Sequence, residues 1–314
     1  MGYNLNFGWG RLVANSLMNH LAARPHTGKV LIVCASTHVN WEELNEIFPP
    51  TDKVRVVDDL QEAIDLCTSN EDDVIFVTEG HTENIASAAA INANKTGISI
   101  IGLGQGRRRP VFSFITATTA DFEVDNASVY FENIVFDLTG IDALNHGLDV
   151  DARDCKFKNC EFITADTDGQ ALTAIVTDAN AGGLQVEDCY FHGTQVAGST
   201  TAIRIVGGLD HKIKNSTFIG NYKLVTGAIS VTTTAAGIEI KDCDILNATP
   251  ASTGAMDFVA NSTTIITGCV LGIRSGTTPI HIDEAGTFDT GEGYNLIGRN
   301  YYHASTPPVA GTLL

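Results

Sequence analysis

Apolar and polar residues alternate in short runs along most of this chain, and the runs recur. One pattern appears six times: Phe131-Glu132-Asn133-Ile134-Val135-Phe136, Phe157-Lys158-Asn159-Cys160-Glu161-Phe162, Val186-Glu187-Asp188-Cys189-Tyr190-Phe191, Ile213-Lys214-Asn215-Ser216-Thr217-Phe218, Ile240-Lys241-Asp242-Cys243-Asp244-Ile245 and Ile266-Thr267-Gly268-Cys269-Val270-Leu271. The third positions, 133, 159, 188, 215, 242 and 268, lie 26 to 29 residues apart. A second pattern keeps the same period. It runs Gly147-Leu148-Asp149-Val150, Ala174-Ile175-Val176-Thr177, Ala202-Ile203-Arg204-Ile205, Ala228-Ile229-Ser230-Val231 and Ala255-Met256-Asp257-Phe258, with Pro279-Ile280-His281-Ile282 as the expected last copy.

A period of two marks a strand with one buried face. Stretches such as Ala181-Gly182-Gly183 and Thr232-Thr233-Thr234-Ala235-Ala236-Gly237 carry turn chemistry. Coils of about 27 residues, built from short strands with no helix between them, describe a parallel β-solenoid. Each coil adds about 4.8 Å, so about eight coils from Val74 to near Ile297 make a rod about 40 Å long.

The repeated columns predict roles. Asn133, Asn159, Asp188, Asn215, Asp242 and Gly268 are residue types that tolerate a left-handed backbone, so a tight corner is expected there. Ile134, Cys160, Cys189, Ser216, Cys243 and Cys269 follow and should point inward as slim packing residues. Glu132, Lys158, Glu187, Lys214, Lys241 and Thr267 precede the corner and should face solvent, with opposite charges able to pair between coils.

Ahead of the repeats, Leu60, Ala63, Ile64 and Cys67 line one face of an expected helix that Asp59 caps, with Glu62 at the capping-box position. Strands are expected at 73–77 and 97–102. A helix is expected to seal the open end of the solenoid, because unpaired strand edges invite association. Further forward, Val13, Leu17 and Leu21 recur at helical spacing in Trp9–Ala23, 29–34 reads as a strand, and Trp41–Phe48 reads as a short helix that Pro49-Pro50 ends.

The succession of Leu60-Gln61-Glu62-Ala63-Ile64, Asp73-Val74-Ile75-Phe76-Val77 and Gly97-Ile98-Ser99-Ile100-Ile101-Gly102 resembles the start of right-handed parallel β-helix proteins of the pectate-lyase-like superfamily. The opening from Phe7-Gly8-Trp9-Gly10-Arg11-Leu12-Val13-Ala14-Asn15-Ser16-Leu17 through Arg24-Pro25 and Gly28-Lys29-Val30 is similar to that of β-helix proteins encoded by tailed phages. The expected fold is therefore all-β, a right-handed parallel β-helix with a small N-terminal α/β cap. Its divisions are a cap and attachment segment at 1–58, the β-helix at 59–290 with its capping helix at 59–68, and a C-terminal tail at 291–314. The resemblance implies a virion protein on the particle exterior, a capsid decoration or a spike. It further implies assembly in the bacterial cytoplasm, other capsid or tail proteins as partners, and a homotrimer.

Charge narrows the field. Asp and Glu number 37 against 19 Lys and Arg, a net −18, which opposes binding to nucleic acid or to anionic membranes. No run approaches the roughly 20 apolar residues of a membrane span. The opening residues lack the basic and apolar regions of a secretory signal, which disfavours a bacterial adhesin. The seven cysteines form no C-x-x-C pair, so free thiols in a reducing compartment are expected and a zinc site is not.

β-helix enzymes that cut acidic polysaccharides use outward carboxylates on neighbouring coils, with calcium and a basic residue in lyases and with an acid and a base in hydrolases. The outward column Asp149, Val176, Arg204, Ser230, Asp257 and His281 is dilute in carboxylates. So is Val135, Glu161, Tyr190, Thr217, Asp244 and Val270. Asp149 and Asp151, joined by Asp178 from the next coil, are the weak catalytic candidates in a chain otherwise read as non-catalytic.

The other local motifs are slighter. Asp166-Thr167-Asp168-Gly169 lacks the later ligands of a calcium loop. Asp210-His211-Lys212 is a possible general-base fragment in a turn. Gly102-Leu103-Gly104-Gln105-Gly106 is too short for a nucleotide site, and neither cofactor nor metal is expected. Arg107, Arg108 and Arg109 form the one basic run, a candidate contact for an acidic patch on a neighbouring subunit. Phe7 and Trp9 are candidates for attaching the rod to a partner. Trp9 and Trp41 are the only tryptophans and fall outside the rod, where Tyr190 and Tyr222 are the exposed aromatic candidates. A glycan ligand therefore stays possible, and a tailspike-type lyase or glycoside hydrolase is the competing reading.

Overall fold

A computed structural model describes residues 28–164, 171–193, 200–222, 227–233, 235–247, 255–258, 263–273, 282–284, 287–289 and 296–297. The chain is a parallel β-helix of about eight coils, consistent with a right-handed turn. Three sheets form its walls. Sheet A has 11 strands, sheet B nine and sheet C eight, and successive coils contribute one strand to each in turn. Among the described residues no helix is long and apolar enough to cross a membrane.

Each repeated hexapeptide straddles an edge of the rod. Tyr130–Glu132 lies in sheet A, Asn133 and Ile134 turn the corner, and Val135–Asp137 lies in sheet B. The corner residues Asn133, Asn159, Asp188, Asn215 and Asp242 have φ of 61°, 52°, 55°, 49° and 52°, and Gly268 has 67°. This is the left-handed region that Asn, Asp and Gly enter most easily. Because they all turn alike, the backbone ladder continues through the edge. Asn133 N donates to Lys158 O (3.1 Å), Asn159 N to Glu187 O (3.0 Å) and Asn215 N to Lys241 O (3.0 Å). Side chains add a second ladder: Asn159 Nδ2 donates to Asn133 Oδ1 (3.1 Å), and Asn133 Nδ2 to Gly102 O (2.8 Å).

A second left-handed edge, which the sequence reading did not separate from ordinary turns, joins sheet C to sheet A. Ser128, Asp154, Gly183, Asp210 and Gly237 turn there, with φ from 60° to 70°. Their amides also donate along the axis, Asp154 N to Gly182 O (2.8 Å) and Gly183 N to Leu209 O (2.7 Å). Any side chain at Gly183 would collide with the Asp154 carboxylate.

The interior follows from this register. Phe131 stacks on Phe157 with centroids 4.8 Å apart, and Phe136, Phe162, Phe191 and Phe218 form a continuous pile at 5.1, 4.4 and 4.7 Å. These intervals match the strand spacing, so identical positions in successive coils bring rings into contact. Cys160, Cys189, Ser216, Cys243 and Cys269 are buried beside the corners. The thiols donate to the carbonyl two residues back at 3.3–3.4 Å, and Ser216 Oγ does so to Lys214 O at 2.8 Å. All seven cysteines are buried and unpaired, and burial pushes the Cys155 thiol up to about 11.

The cap is continuous with the rod. β1 (Val30–Val33) and β2 (Val54–Val57) head sheet A, and α1 (Trp41–Ile47) lies on its outer side, where Val30, Ile32, Leu44, Val56, Val74 and Phe76 form a separate small core. α2 (Leu60–Leu66) closes the end of the main core with Leu60, Ala63 and Ile64. Asp59 Oδ1 accepts from Glu62 N (2.7 Å), and Glu62 returns to Asp58 N (3.3 Å) rather than to the cap residue itself. Glu83, at an inward position of the first coil, accepts from Leu60 N (3.2 Å) and so ties the helix to sheet B.

Four expectations need adjustment. The last copy of the second pattern is displaced by two residues: Met256 pairs with Ile282 and Asp257 with Asp283, so Asp283 holds the column position expected for His281. Positions two apart in a strand share a face, so the pattern alone does not fix this register. Tyr222 is buried, its backbone amide held by Asn247 Oδ1 (3.1 Å). His211 is a core residue whose Nε2 donates to Gly207 O (2.8 Å), so it offers no exposed base. The outward charges of sheet A do pair between coils, but diagonally, Lys156 with Glu187 and Lys214 with Glu239 (2.8 Å). Phe7, Trp9, the expected helix Trp9–Ala23 and Asp166-Thr167-Asp168-Gly169 lie outside the described residues.

Replacing Asn159 by Val should lower stability by about 1–2 kcal/mol, the cost of a left-handed non-glycine residue, whereas Asn159→Gly should cost far less; urea titrations of the two variants measure the difference. None of the seven cysteines should react with a disulfide reagent such as DTNB in the native protein, and all seven should react in guanidinium.

Candidate functional site

Parallel strands place residues of equal position directly above one another, so any site on this rod is a set of outward columns. On sheet C, Glu123 lies opposite Asp149, and Asn92 lies opposite Glu123. One step along the strands, Asp151 N donates to Val124 O (3.1 Å) and Asp178 N to Val150 O (3.0 Å), which stacks Asp125, Asp151 and Asp178 on three consecutive coils. The three catalytic candidates therefore meet, joined by Asp121, Glu123 and Asp125.

The cluster is held by two neighbours. His146 Nε2 stands 3.4 Å from both Asp121 Oδ2 and Asp149 Oδ2. Asn92 Nδ2 donates to Glu123 Oε2 (3.0 Å) and Asp125 Oδ2 (2.7 Å). Partial burial, then the charges of Asp149, Asp178 and Asp125, push the Asp151 carboxyl up to about 6. Burial raises Asp149 too, with His146 opposing the shift, and burial followed by Asp125 raises Glu123. Asp149 and Asp151 also act on one another, the interaction lowering Asp149 and raising Asp151.

A glycosidase needs its two carboxyls about 5 Å apart or more to flank the scissile bond. Asp149 and Asp151 stand two residues apart on one coil, and Asp178 follows Asp151 on the next. Among the described residues no three His, Cys, Asp or Glu side chains converge to hold a metal ion.

A second locus was not anticipated. A hollow of about 320 Å³ opens beside the Asn corner, lined by Gln105, Arg109, Asn133, Asn159, Glu161 and Tyr190 among others. Glu161 binds the Arg109 guanidinium with one oxygen and His192 Nε2 (2.7 Å) with the other. Arg109 also donates to Gly106 O (3.3 Å) and Asn159 O (3.4 Å). Burial draws the Arg109 guanidinium below its usual range, and burial together with Arg109 lowers the His192 imidazole. Tyr190 stacks on His192 with centroids 4.6 Å apart and presents a partly exposed ring at the rim. Arg109 reaches Glu161 across two strand steps, a span set by its rotamer and invisible in the spacing of the motifs. Of the basic run, Arg108 pairs with Glu79 (2.7 Å) and Arg109 with Glu161, while Arg107 is exposed.

The coil defines the class, a parallel β-helix protein. No protein family, curated protein or solved structure matches the chain.

Because the folded Asp151 carboxyl holds its proton more tightly than the unfolded one, the folded state binds more protons from the ordinary carboxylate range up to about 6. Melting temperature should therefore fall as pH rises through that window. In Asp151→Asn this step should shrink, Asp149 and Glu123 remaining, and the melting temperature at neutral pH should be higher, as thermal melts across pH will measure.

Proposed function

We propose that this chain is a non-catalytic structural component of a tailed-phage particle, a rigid rod displayed on the exterior as a capsid decoration or spike protein. The observation that carries this reading is how completely the rod is occupied with itself. Stacked rings and slim buried side chains fill the interior, and ion pairs link coils along the outside. Such a ladder resists bending and separation of coils, which suits a passive exterior element. The resemblance of the opening segment supplies the phage context, the partners among capsid or tail proteins, and the homotrimer. Seven buried free thiols suit assembly in a reducing cytoplasm. The net −18 chain and its paired arginines give little for nucleic acid or an anionic membrane to hold.

The second reading, a tailspike-type lyase or glycoside hydrolase, is favoured by one observation: Asp149, Asp151 and Asp178 do come together, with a raised Asp151 carboxyl. It is weakened by the Arg109 guanidinium and the His192 imidazole, which occupy the two oxygens of Glu161.

One experiment addresses both. Gold-labelled antibody against the rod should decorate intact particles in negative stain, and deleting residues 1–28 should leave a folded rod that no longer binds them. Reducing-end assays on capsular polysaccharide and lipopolysaccharide should show no turnover. Turnover abolished by Asp149→Asn or Asp178→Asn would replace the structural reading with the enzymatic one, and unchanged particle binding after the deletion would remove the attachment role of Phe7 and Trp9.

A further inference from the structure

The slim inward column beside the Asn corner runs, coil by coil, Cys160, Cys189, Ser216, Cys243 and Cys269, and the strands on either side fix which of these face one another. Lys158 pairs with Glu187 and Glu161 with Tyr190, so Cys189 stands directly over Cys160, and Tyr190 N donates to Cys160 O (2.9 Å). Lys241 pairs with Thr267 and Asp244 with Val270, so Cys269 stands over Cys243 in the same way, with Val270 N donating to Cys243 O (2.8 Å). Ser216 lies between Cys189 and Cys243 and divides the column into two separate pairs.

Two features bring each pair within bonding range. Successive coils are about 4.8 Å apart, and a disulfide joins Cα atoms about 4.4–6.8 Å apart, so the backbone already has the span a link requires. The upper thiol also leans toward the coil beneath. Cys189 Sγ donates to Phe157 O (3.5 Å) as well as to Glu187 O (3.3 Å), and Cys269 Sγ to Ile240 O (3.7 Å) as well as to Thr267 O (3.4 Å). The neighbouring Cys243 thiol draws Cys269 below its ordinary range, which favours the thiolate that starts exchange. Cys155 supplies the contrast. It is as deeply buried, but Lys156 pairs with Tyr130 and with Gln185, so Cys155 has Val129 and Leu184 in the coils beside it rather than a second thiol.

We propose that Cys160 with Cys189, and Cys243 with Cys269, are two disulfide sites that staple neighbouring coils when the rod opens and recloses in an oxidising medium. The oxidant is a small disulfide such as oxidised glutathione. One cysteine thiolate attacks it, breaks its S–S bond and releases a glutathione thiolate, leaving a mixed disulfide on the coil. The facing cysteine, as its thiolate, then attacks the protein sulfur of that mixed disulfide, forms the inter-coil S–S bond and expels the second glutathione thiolate. Two cysteines are oxidised, one glutathione disulfide is reduced to two thiols, and the two cysteine protons end on those thiols. In a reducing compartment the exchange runs the other way and the coils carry no staple. This goes beyond the particle role and does not rest on it.

The test is to hold the full chain at its urea midpoint with a mixture of oxidised and reduced glutathione, where folded and unfolded chains exchange and every thiol is reached in turn, and then to remove the urea. A non-reducing peptide map should join Cys160 to Cys189 and Cys243 to Cys269, with Cys155 in neither link. The urea midpoint of the linked chain should rise, because each bond closes a loop in the unfolded state, and dithiothreitol should return it to its starting value. Cys189→Ser should lose the first link and keep the second. That variant should fold, since Ser216 already occupies this column and its Oγ donates to Lys214 O as the thiols do to their own carbonyls. Recovery of either pair as thiols or as glutathione adducts, a link from these four to any other cysteine, or a link between two chains would overturn the proposal, as would an unchanged midpoint in the linked chain.

Discussion

The backbone hydrogen bond between one coil and the next, carried without interruption around two left-handed edges, is the constraint on which this molecule depends. A strand that merely ended at each edge would leave amides and carbonyls facing an apolar interior. Here Asn133, Asn159 and Asn215 on one edge, and Asp154 and Gly183 on the other, turn so that their amides still point along the axis to the following coil. The edges are therefore ladder rather than loop. Everything inside follows from that register: once Phe162 lies above Phe136 in the backbone, its ring lies on the ring beneath.

The same constraint shapes what the outside can do. Each outward column repeats a position at about 4.8 Å, so like residues meet like residues unless the sequence alternates them. On sheet A the signs alternate enough for diagonal pairs, and the Lys156 hydrogen bond holds the Glu187 carboxyl below its ordinary range. On sheet C they do not, and Asp125, Asp151 and Asp178 crowd together. The molecule accommodates that crowding through His146, through Asn92 and through a raised Asp151 carboxyl. Crowded carboxylates can be the start of an acid–base site or simply a cost of stacking.

The ends of the rod have a different problem, since a solenoid presents a bare core there. At the first coil α2 is laid across the opening and fixed at both levels, by Asp59 within the helix and by Glu83 from sheet B. β1 and β2 extend sheet A past the rod, and α1 covers the outer side that this extension exposes. Cap and rod thus share one sheet, so a load on the cap passes to the coils through hydrogen bonds rather than through a hinge.

The amino-acid sequence by itself determined the coil, the Asn corner and the inward column of cysteines, because a solenoid repeats one local solution and repetition is visible in one dimension. It also placed Asp149, Asp151 and Asp178 together, since two of them share a strand face and the third is one period on. What it left open is whatever depends on side-chain reach or on positions whose residue type varies. The second edge uses Ser128, Asp154, Gly183 and Asp210 in turn, so no single letter marks it. Arg109 finds Glu161 two coils away by the length of its side chain. Tyr222 and His211 look like surface residues in an ungapped reading, yet both are buried. Those choices belong to the tertiary structure, because burial there is decided by where neighbouring coils leave space and not by the local alternation of apolar and polar residues.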